Sequence, residues 1–200
     1  MSTHHYRPAE GHRLPHDPFN AIVGPRPIGW ISSLGADGAR NLAPYSFFNA
    51  FNYTPPLVGF SSNGWKDSVA NLEATGEFTW NLVTRDLLSA MNQTATNDGV
   101  DEWDRSGLEA ADSVDVRPPR VAASPVSFEC VVTQVLRLQT KEGTDVDSWL
   151  TLGEVVGVHV DEDYLVDGVY DTAKADPVLR GGGPSAYFTL GERLDLRRPD

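Results

Sequence analysis

Two stretches near the end of the chain alternate apolar and polar residues with a period of two, which suits a half-buried strand and not a helix. From Phe128 to Leu138 the apolar phase holds Phe128, Cys130, Val132, Leu136 and Leu138, while Glu129, Thr133 and Arg137 occupy the other. Lys141-Glu142-Gly143 makes a turn. Ser148 to Val160 then returns with Leu150, Leu152, Val156, Val158 and Val160 in one phase, broken only by Glu154. A two-stranded ribbon is barely stable alone, so the rest of the chain must build a sheet around it.

The preceding sequence supplies the parts. Ile28 to Ser33 and Arg40 to Ala43 flank a turn through Ala36, Asp37 and Gly38, and Asp-Gly between strand-like runs is a strong hairpin signal. Beyond it the chain does not turn cleanly into a third strand but runs through Pro44, Tyr45, Ser46, Phe47, Phe48 and Asn49. Leu57 to Ser62 and Phe78 to Val83 read as further short strands. Helical signals cover only Ser68 to Thr75, with Asp67 or Ser68 as N-cap and Gly76 as the stop, and Leu87 to Gln93. Many strands with two short helices predict a mainly β fold, a barrel or sandwich with helices at its ends. Residues 1–18 read as a flexible N-terminal segment and 19–200 as one domain, whose first ordered element is Phe19 to Val23. Ala95 to Ser124 is either an excursion over the core or a poorly ordered insertion.

Charge and cysteine content narrow the function. With 28 acidic and 16 basic residues the net charge is −12, which argues against a general nucleic-acid or anionic-membrane binder. Cys130 is the one cysteine, so no intrachain disulfide or multi-cysteine metal site can form. No apolar run resembles a signal peptide or reaches the length of a membrane span, so a cytoplasmic protein is expected. The chain also lacks a G-x-S-x-G elbow, a Walker loop, a G-x-G-x-x-G after a strand and an H-E-x-x-H helix.

Two groups of residues suit a ligand. Ser61, Ser62, Lys66, Asp67 and Ser68 can bring hydroxyls, an ammonium and the free amides of a helix start to one phosphate. Taken alone, an ordinary capped helix with a solvated lysine is the commoner origin of so short a pattern. Asn41, Tyr45, Ser46 and Asn49 offer hydrogen bonds to a flat heterocycle, with Trp30, Phe47 and Phe48 as walls; the other reading is a polar hairpin end over core aromatics. Asn81, inside a strand, needs a partner. Glu154, if buried in its apolar phase, needs a salt bridge or a bulge that turns it outward, unless it is a perturbed acid near a site.

Taken in order, several segments resemble the flavin reductase-like family of FMN-binding split β-barrels, in particular its flavoredoxin-type branch. They are Pro25-Arg26-Pro27-Ile28-Gly29-Trp30-Ile31-Ser32-Ser33, Asn41-Leu42-Ala43-Pro44-Tyr45-Ser46-Phe47-Phe48-Asn49, Lys66-Asp67-Ser68 with Asn71, Gly76-Glu77-Phe78 leading to Asn81, Gly153-Glu154-Val155 and Leu179-Arg180-Gly181-Gly182. The match runs from roughly Phe19 to Leu190. The resemblance implies FMN in a groove at a homodimer interface, its phosphate near Ser61, Ser62, Lys66 and Ser68. The isoalloxazine would lie against Asn41, Ala43, Tyr45, Ser46 and Phe47 and against Ile28, Trp30, Ser32 and Ser33, with Asn81 completing the set. The flavin would carry the chemistry with no catalytic side chain. The family's two-component reductases carry a Gly-Asp-His motif on a late strand, where this chain has the Gly153-Glu154-Val155 of flavoredoxin-type members. For a dinucleotide's phosphates only local arginines such as Arg26, Arg117 and Arg120 are at hand. The implied function is an FMN-dependent oxidoreductase passing electrons from NAD(P)H to flavin or a small acceptor. The alternatives are an FMN electron carrier reduced by a protein partner and a flavin-free binding module.

Overall fold

The computed structural model describes residues 1–96 and 98–199; Asn97, inside the 95–124 excursion, and Asp200 lie outside the described residues. The chain runs through α1 (Phe19–Ile22), β1 (Gly29–Leu34), β2 (Arg40–Tyr45), β3 (Phe48–Tyr53), β4 (Pro56–Asn63), α2 (Asp67–Thr75), β5 (Glu77–Asn81) and α3 (Leu88–Gln93). It continues with α4 (Glu102–Ser106), β6 (Ala110–Ala111), β7 (Arg120–Val121), β8 (Val126–Gln139), β9 (Asp145–Val160), β10 (Leu165–Val166), β11 (Val169–Tyr170), α5 (Thr172–Ala175), β12 (Leu179–Arg180) and β13 (Tyr187–Phe188).

Seven strands make one antiparallel sheet in the order β2-β1-β5-β8-β9-β4-β3. The β1–β2 hairpin falls where Asp37-Gly38 places it, with Ile31 opposite Ala43. Contrary to expectation, the chain enters a third strand directly after β2. That strand carries no hairpin signal because it does not pair with β2; it pairs with β4 at the opposite edge of the sheet. Only Ser46 and Phe47 join these two edges, so the sheet must curl until the edges meet. Side-chain contacts close it: the rings of Tyr45 on β2 and Phe60 on β4 lie 4.4 Å apart, while the Ser61 amide extends the β3–β4 ladder by donating to the Phe47 carbonyl at 2.8 Å. The result is a barrel with a seam, as a split barrel requires.

Each face of the sheet packs a core. Ile31, Tyr45, Phe48, Phe60, Phe78, Trp80, Cys130 and Val155 fill the barrel interior. Gly153 admits the Phe78 ring, since a Cβ there would sit 2.4 Å from it. Ile28, Trp30, Leu42, Val83, Met91, Trp103 and Val121 form the second core under α3 and α4. The 95–124 excursion therefore lies over the core, anchored by Trp103 and Val121. It also covers the free edge of β2, where the Glu102 carboxylate accepts from the Leu42 amide at 3.3 Å and Arg40 pairs with Asp101 at 2.8 Å. Covering an edge in this way blocks strand addition by other chains.

In β9 the burial falls on the other phase. The inward phase of β9 is Thr151, Gly153 and Val155, whereas Val156 and Val158, from the apolar phase, are exposed. Glu154 consequently points outward, half-buried, and is not the burial its phase suggested. Alternation itself holds through this part of β9, but the phase richer in apolar residues is the outward one, so Glu154 shares the outer face with Val156 and Val158. The buried acid is Glu129, fully inaccessible. Its carboxylate accepts from the amides of Val114, Asp115 and Val116 at 2.8, 2.6 and 3.0 Å and contacts His159 Nε2 at 2.5 Å.

Burial opposes ionisation of Glu129, but the three amides and His159 outweigh it and bring the carboxyl from 4.5 down to about 2. Because the folded value lies below the unfolded one, this contribution is complete above about pH 4.5 and lost as pH falls toward 2, a loss of roughly 3 kcal/mol. In urea unfolding at neutral pH, Glu129→Gln is expected to cost about 2–3 kcal/mol, since its amide NH2 faces backbone donors. The variant's stability should also decline less steeply than that of the wild type below pH 4.5.

Candidate functional site

The helix after β4 opens one residue earlier than its capping residues suggest. Lys66 occupies the N-cap in extended conformation (φ −100°, ψ 170°) and makes no side-chain cap, while Asp67 falls inside the first turn. Asp67 and Ser68 are not caps because the chain is already helical there. The first-turn amides are left without a capping side chain, at the positive end of the helix dipole and next to an exposed ammonium. Gly76 ends the helix as expected, at φ 74°.

Beneath this helix start a buried polar network crosses the barrel seam. Asn41 Nδ2 on β2 donates to Ser33 Oγ on β1 at 3.2 Å and to Ser68 Oγ on α2 at 2.8 Å, and Asn71 Nδ2 reaches the same Ser33 hydroxyl at 3.2 Å. The Tyr45 phenol lies beside Ser68 and Ser62, so residues of β2, α2 and β4 come together at the gap. Burial raises the phenol's pKa above its ordinary value and the two serine contacts oppose the rise, so Tyr45 is neutral at physiological pH. Ser62 Oγ in turn bonds the Gly64 carbonyl at 2.9 Å.

The residues singled out in the sequence separate into three positions. Ala43, Ser46, Phe47 and Ser61 are half-buried along the seam, and Lys66 is exposed at its end. Ser33, Asn41, Tyr45, Ser62 and Ser68 form the buried layer that fixes them. Ile28, Trp30, Ser32 and Asn81 belong elsewhere, on the far face of the sheet. Trp30 is wholly inaccessible and donates to Thr94 Oγ1 at 3.0 Å. Asn81 accepts from the Val121 amide and the Ser127 hydroxyl at 2.8 and 2.9 Å, anchoring the excursion. Ser32 is buried without a hydrogen-bond partner among the described residues. Period-two alternation puts Ser33 toward the seam and Trp30 and Ser32 away from it, so the whole strand cannot wall one ligand with its side chains.

Two residues outside the expected set support the seam. Asn71 stands one helical turn beyond Ser68 and could have been found from that spacing. Arg26, buried beside Phe47, carries no sequence signal beyond its flanking prolines.

Comparison with known proteins decides the family. A model of the flavin reductase-like domain matches residues 24–177. The chain belongs to that family. An uncharacterised protein of Deinococcus radiodurans is 36% identical over 194 residues, covering 90% of this chain and 82% of its own. Nitrilotriacetate monooxygenase component B from Bacillus cereus shares 29% identity with a TM-score of 0.82, covering 89% of this chain and 91% of its own. The flavoredoxin of Desulfovibrio vulgaris, 21% identical with a TM-score of 0.75 over 86% of this chain and 90% of its own, shares the fold. The flavin reductase-like chain is thus a flavoprotein-family split barrel, and its seam is the feature to weigh against a flavin.

The donor set of the seam fits that group. An uncapped helix start, Lys66 and the Ser61 hydroxyl match a phosphate monoester, and the half-buried Ala43–Phe47 backbone matches a polar ring edge. Tyr45→Phe removes a buried phenol hydroxyl beside Ser62 and Ser68. A loss of about 1–2 kcal/mol in urea unfolding is expected, with the far-UV circular dichroism of the folded protein unchanged.

Proposed function

We propose that this flavin reductase-like protein binds FMN along the barrel seam and works as an FMN-dependent oxidoreductase. One observation carries this reading: the uncapped helix start and the β2 exit strand are fastened to one another by the Ser33–Asn41–Ser68 hydrogen bonds, with Tyr45 packed against Phe60 at the same gap. An anion site and a planar polar shelf are thereby held as one surface of fixed spacing. In this reading Lys66, Ser61 and the first-turn amides of α2 hold the phosphate. Ala43, Ser46 and Phe47 line the ring, and the buried layer keeps both in place.

When bound, FMN supplies the redox chemistry, accepting a hydride and passing electrons on. The chain's own work is positional. Backbone amides between Tyr45 and Phe47 hydrogen-bond the ring edge, favouring its electron-rich form, and the apolar interior beneath Tyr45 and Phe60 excludes water from that side. No side chain is assigned proton transfer. A homodimer belongs to this proposal: Val131, Leu136, Val156 and Val158 on the outer face of β8 and β9, with Phe51 and Tyr53 on β3, are exposed apolar residues of the kind a second copy covers. Cys130, buried inside the barrel, fits a cytoplasmic setting.

The electron donor divides two readings. NAD(P)H is the donor in the reductase reading. The carrier reading, in which a protein partner reduces the flavin, draws on the three arginines nearest in type to a dinucleotide grip. Arg26 is buried on carbonyls, Arg117 is paired with Glu77 at 2.8 Å, and Arg120 is bonded to the Asp112 carbonyl at 2.8 Å.

Adding FMN to the purified protein should give a bound flavin spectrum; its absence overturns both readings. Anaerobic mixing with NADH or NADPH then separates them, since bleaching identifies the reductase and reduction by dithionite alone identifies the carrier. Lys66→Ala is expected to weaken FMN binding by about tenfold or more while leaving riboflavin binding nearly unchanged, measured by flavin fluorescence quenching. Equal losses for both ligands would place Lys66 away from the phosphate.

A further inference from the structure

Arg26 is the least expected charge in the molecule. It is 8% exposed in a chain of net charge −12, yet among the described residues no carboxylate bonds it, and the charged group acting on it is another cation, Arg180. Burial and Arg180 both lower its pKa, and a guanidinium in protein remains protonated all the same. Its donors go to backbone carbonyls instead. Nε bonds Ser46 O at 2.8 Å, one terminal nitrogen bonds Asn20 O at 2.5 Å and also Val23 O, and the other reaches Gly181 O at 3.4 Å. Carbonyl oxygens solvate the ion without neutralising it, so its full unit charge persists.

The second arginine is arranged the same way. Arg180 pairs with Arg26 through two main-chain bonds, Arg26 N to Arg180 O at 2.9 Å and Arg180 N to Arg26 O at 2.8 Å. Its guanidinium bonds the carbonyls of Gly183, Pro184 and Ala186 and lies 4.9 Å from the Tyr187 ring centroid. Around these two residues the packing is tight: a Cβ on Gly182 would fall 2.5 Å from the Ala21 Cβ. With each of its guanidinium nitrogens bonded to a main-chain carbonyl, Arg26 is a poor receptor for a mobile anion. The two arginines are a fixed source of positive potential at the Ser46–Phe47 crossing, where the Arg26 guanidinium carbon sits 5.3 Å from the Phe47 ring centroid.

Resting on the flavin reading above, in which the ring lies along Ala43–Phe47, we propose that Arg26 is a positioning residue that sets the flavin's reduction potential. It holds the Ser46 carbonyl, and with it the peptide facing the ring, and supplies an unneutralised charge behind that peptide. Reduction by a hydride delivers two electrons and one proton to N5 and leaves the ring with one additional negative charge. A buried cation stabilises that product over the neutral oxidised ring, because the Coulomb interaction is weakly screened away from solvent. Arg180 adds to the same field from further back. The competing explanation is purely structural: a clamp joining α1, the seam and the segment after β12, with no influence on the cofactor.

The test measures the midpoint potential of bound FMN by anaerobic dye equilibration, beside urea stability, in wild type, Arg26→Gln, Arg26→Lys and Arg180→Gln. In Arg26→Gln the affinity for reduced FMN should fall about tenfold more than that for oxidised FMN, which lowers the potential of a two-electron couple by about 30 mV. Arg26→Lys keeps the charge and loses the fork, so it should lose stability yet return the potential to near the wild-type value. Arg180→Gln should shift the potential in the same direction by a smaller amount, and it decides the matter if Arg26→Gln fails to fold. Wild-type potential in all folded variants overturns the proposal in favour of the clamp. Equal lowering in Arg26→Gln and Arg26→Lys overturns the role of charge. A wild-type protein that binds no flavin overturns the flavin reading itself, and this inference with it.

Discussion

A curled sheet whose edge strands meet without a hydrogen-bonded ladder must satisfy that junction by other means. Here β2 and β3 are consecutive in the chain and terminal in the sheet, separated by Ser46 and Phe47 alone. The apolar half of the junction is Tyr45 against Phe60. The polar half is the hydrogen-bonded group of Ser33, Asn41 and Ser68, with the Tyr45 phenol and Ser62 beside it. A ladder would have sealed the barrel and left no backbone to offer a ligand. The side-chain closure leaves Ala43 to Phe47 half-open, and fixes the start of α2 over the same gap.

The remainder of the chain braces this arrangement from the far face. Asn81 fastens Val121 to the sheet, Glu129 gathers the amides of Val114, Asp115 and Val116, and Glu102 covers the Leu42 amide at the β2 edge. Each is a buried or half-buried polar group meeting a backbone donor of the excursion or its neighbours. A long connection without regular structure is thereby locked to the barrel by carbonyl and carboxylate acceptors more than by its own secondary structure. Burial raises the pKa of Glu102, whereas three amides and a histidine lower that of Glu129. An acid on the excursion and an acid on β8 beneath it therefore differ because burial prevails at Glu102, whereas three amides and a histidine outweigh it at Glu129.

Much of this was readable from residue patterns. Asp37-Gly38 located the first hairpin and Gly76 the end of α2, since a tight turn and a left-handed cap each demand a residue type. The polar residues Asn41, Tyr45, Ser62 and Ser68 were picked out as groups suited to a ligand, and the structure brings them together. What could not be read was which face of β1 they share with Ser33, because that depends on where the sheet closes, and β3 bears no mark of pairing at the distant edge. Alternation marks Glu154 as costly only if its phase is buried, and that phase faces outward; the buried acid is Glu129, covered by the Val114–Val116 segment that no local pattern places there. The sequence offers Arg26 only as one of the local arginines at hand for a dinucleotide's phosphates, because its acceptors Asn20, Ser46 and Gly181 are scattered along the chain.

The contact of Gly182 with Ala21 has a consequence for the architecture as a whole. It places the beginning and the end of the packed region side by side on one flank of the barrel, joined by the Arg26–Arg180 pairing. A domain whose entry and exit adjoin can be spliced into a loop of another protein, or reconnected and cut open elsewhere, without unthreading a strand. The same adjacency makes the two ends one mechanical unit: a pull on either is borne first by two main-chain hydrogen bonds and only afterwards by the barrel.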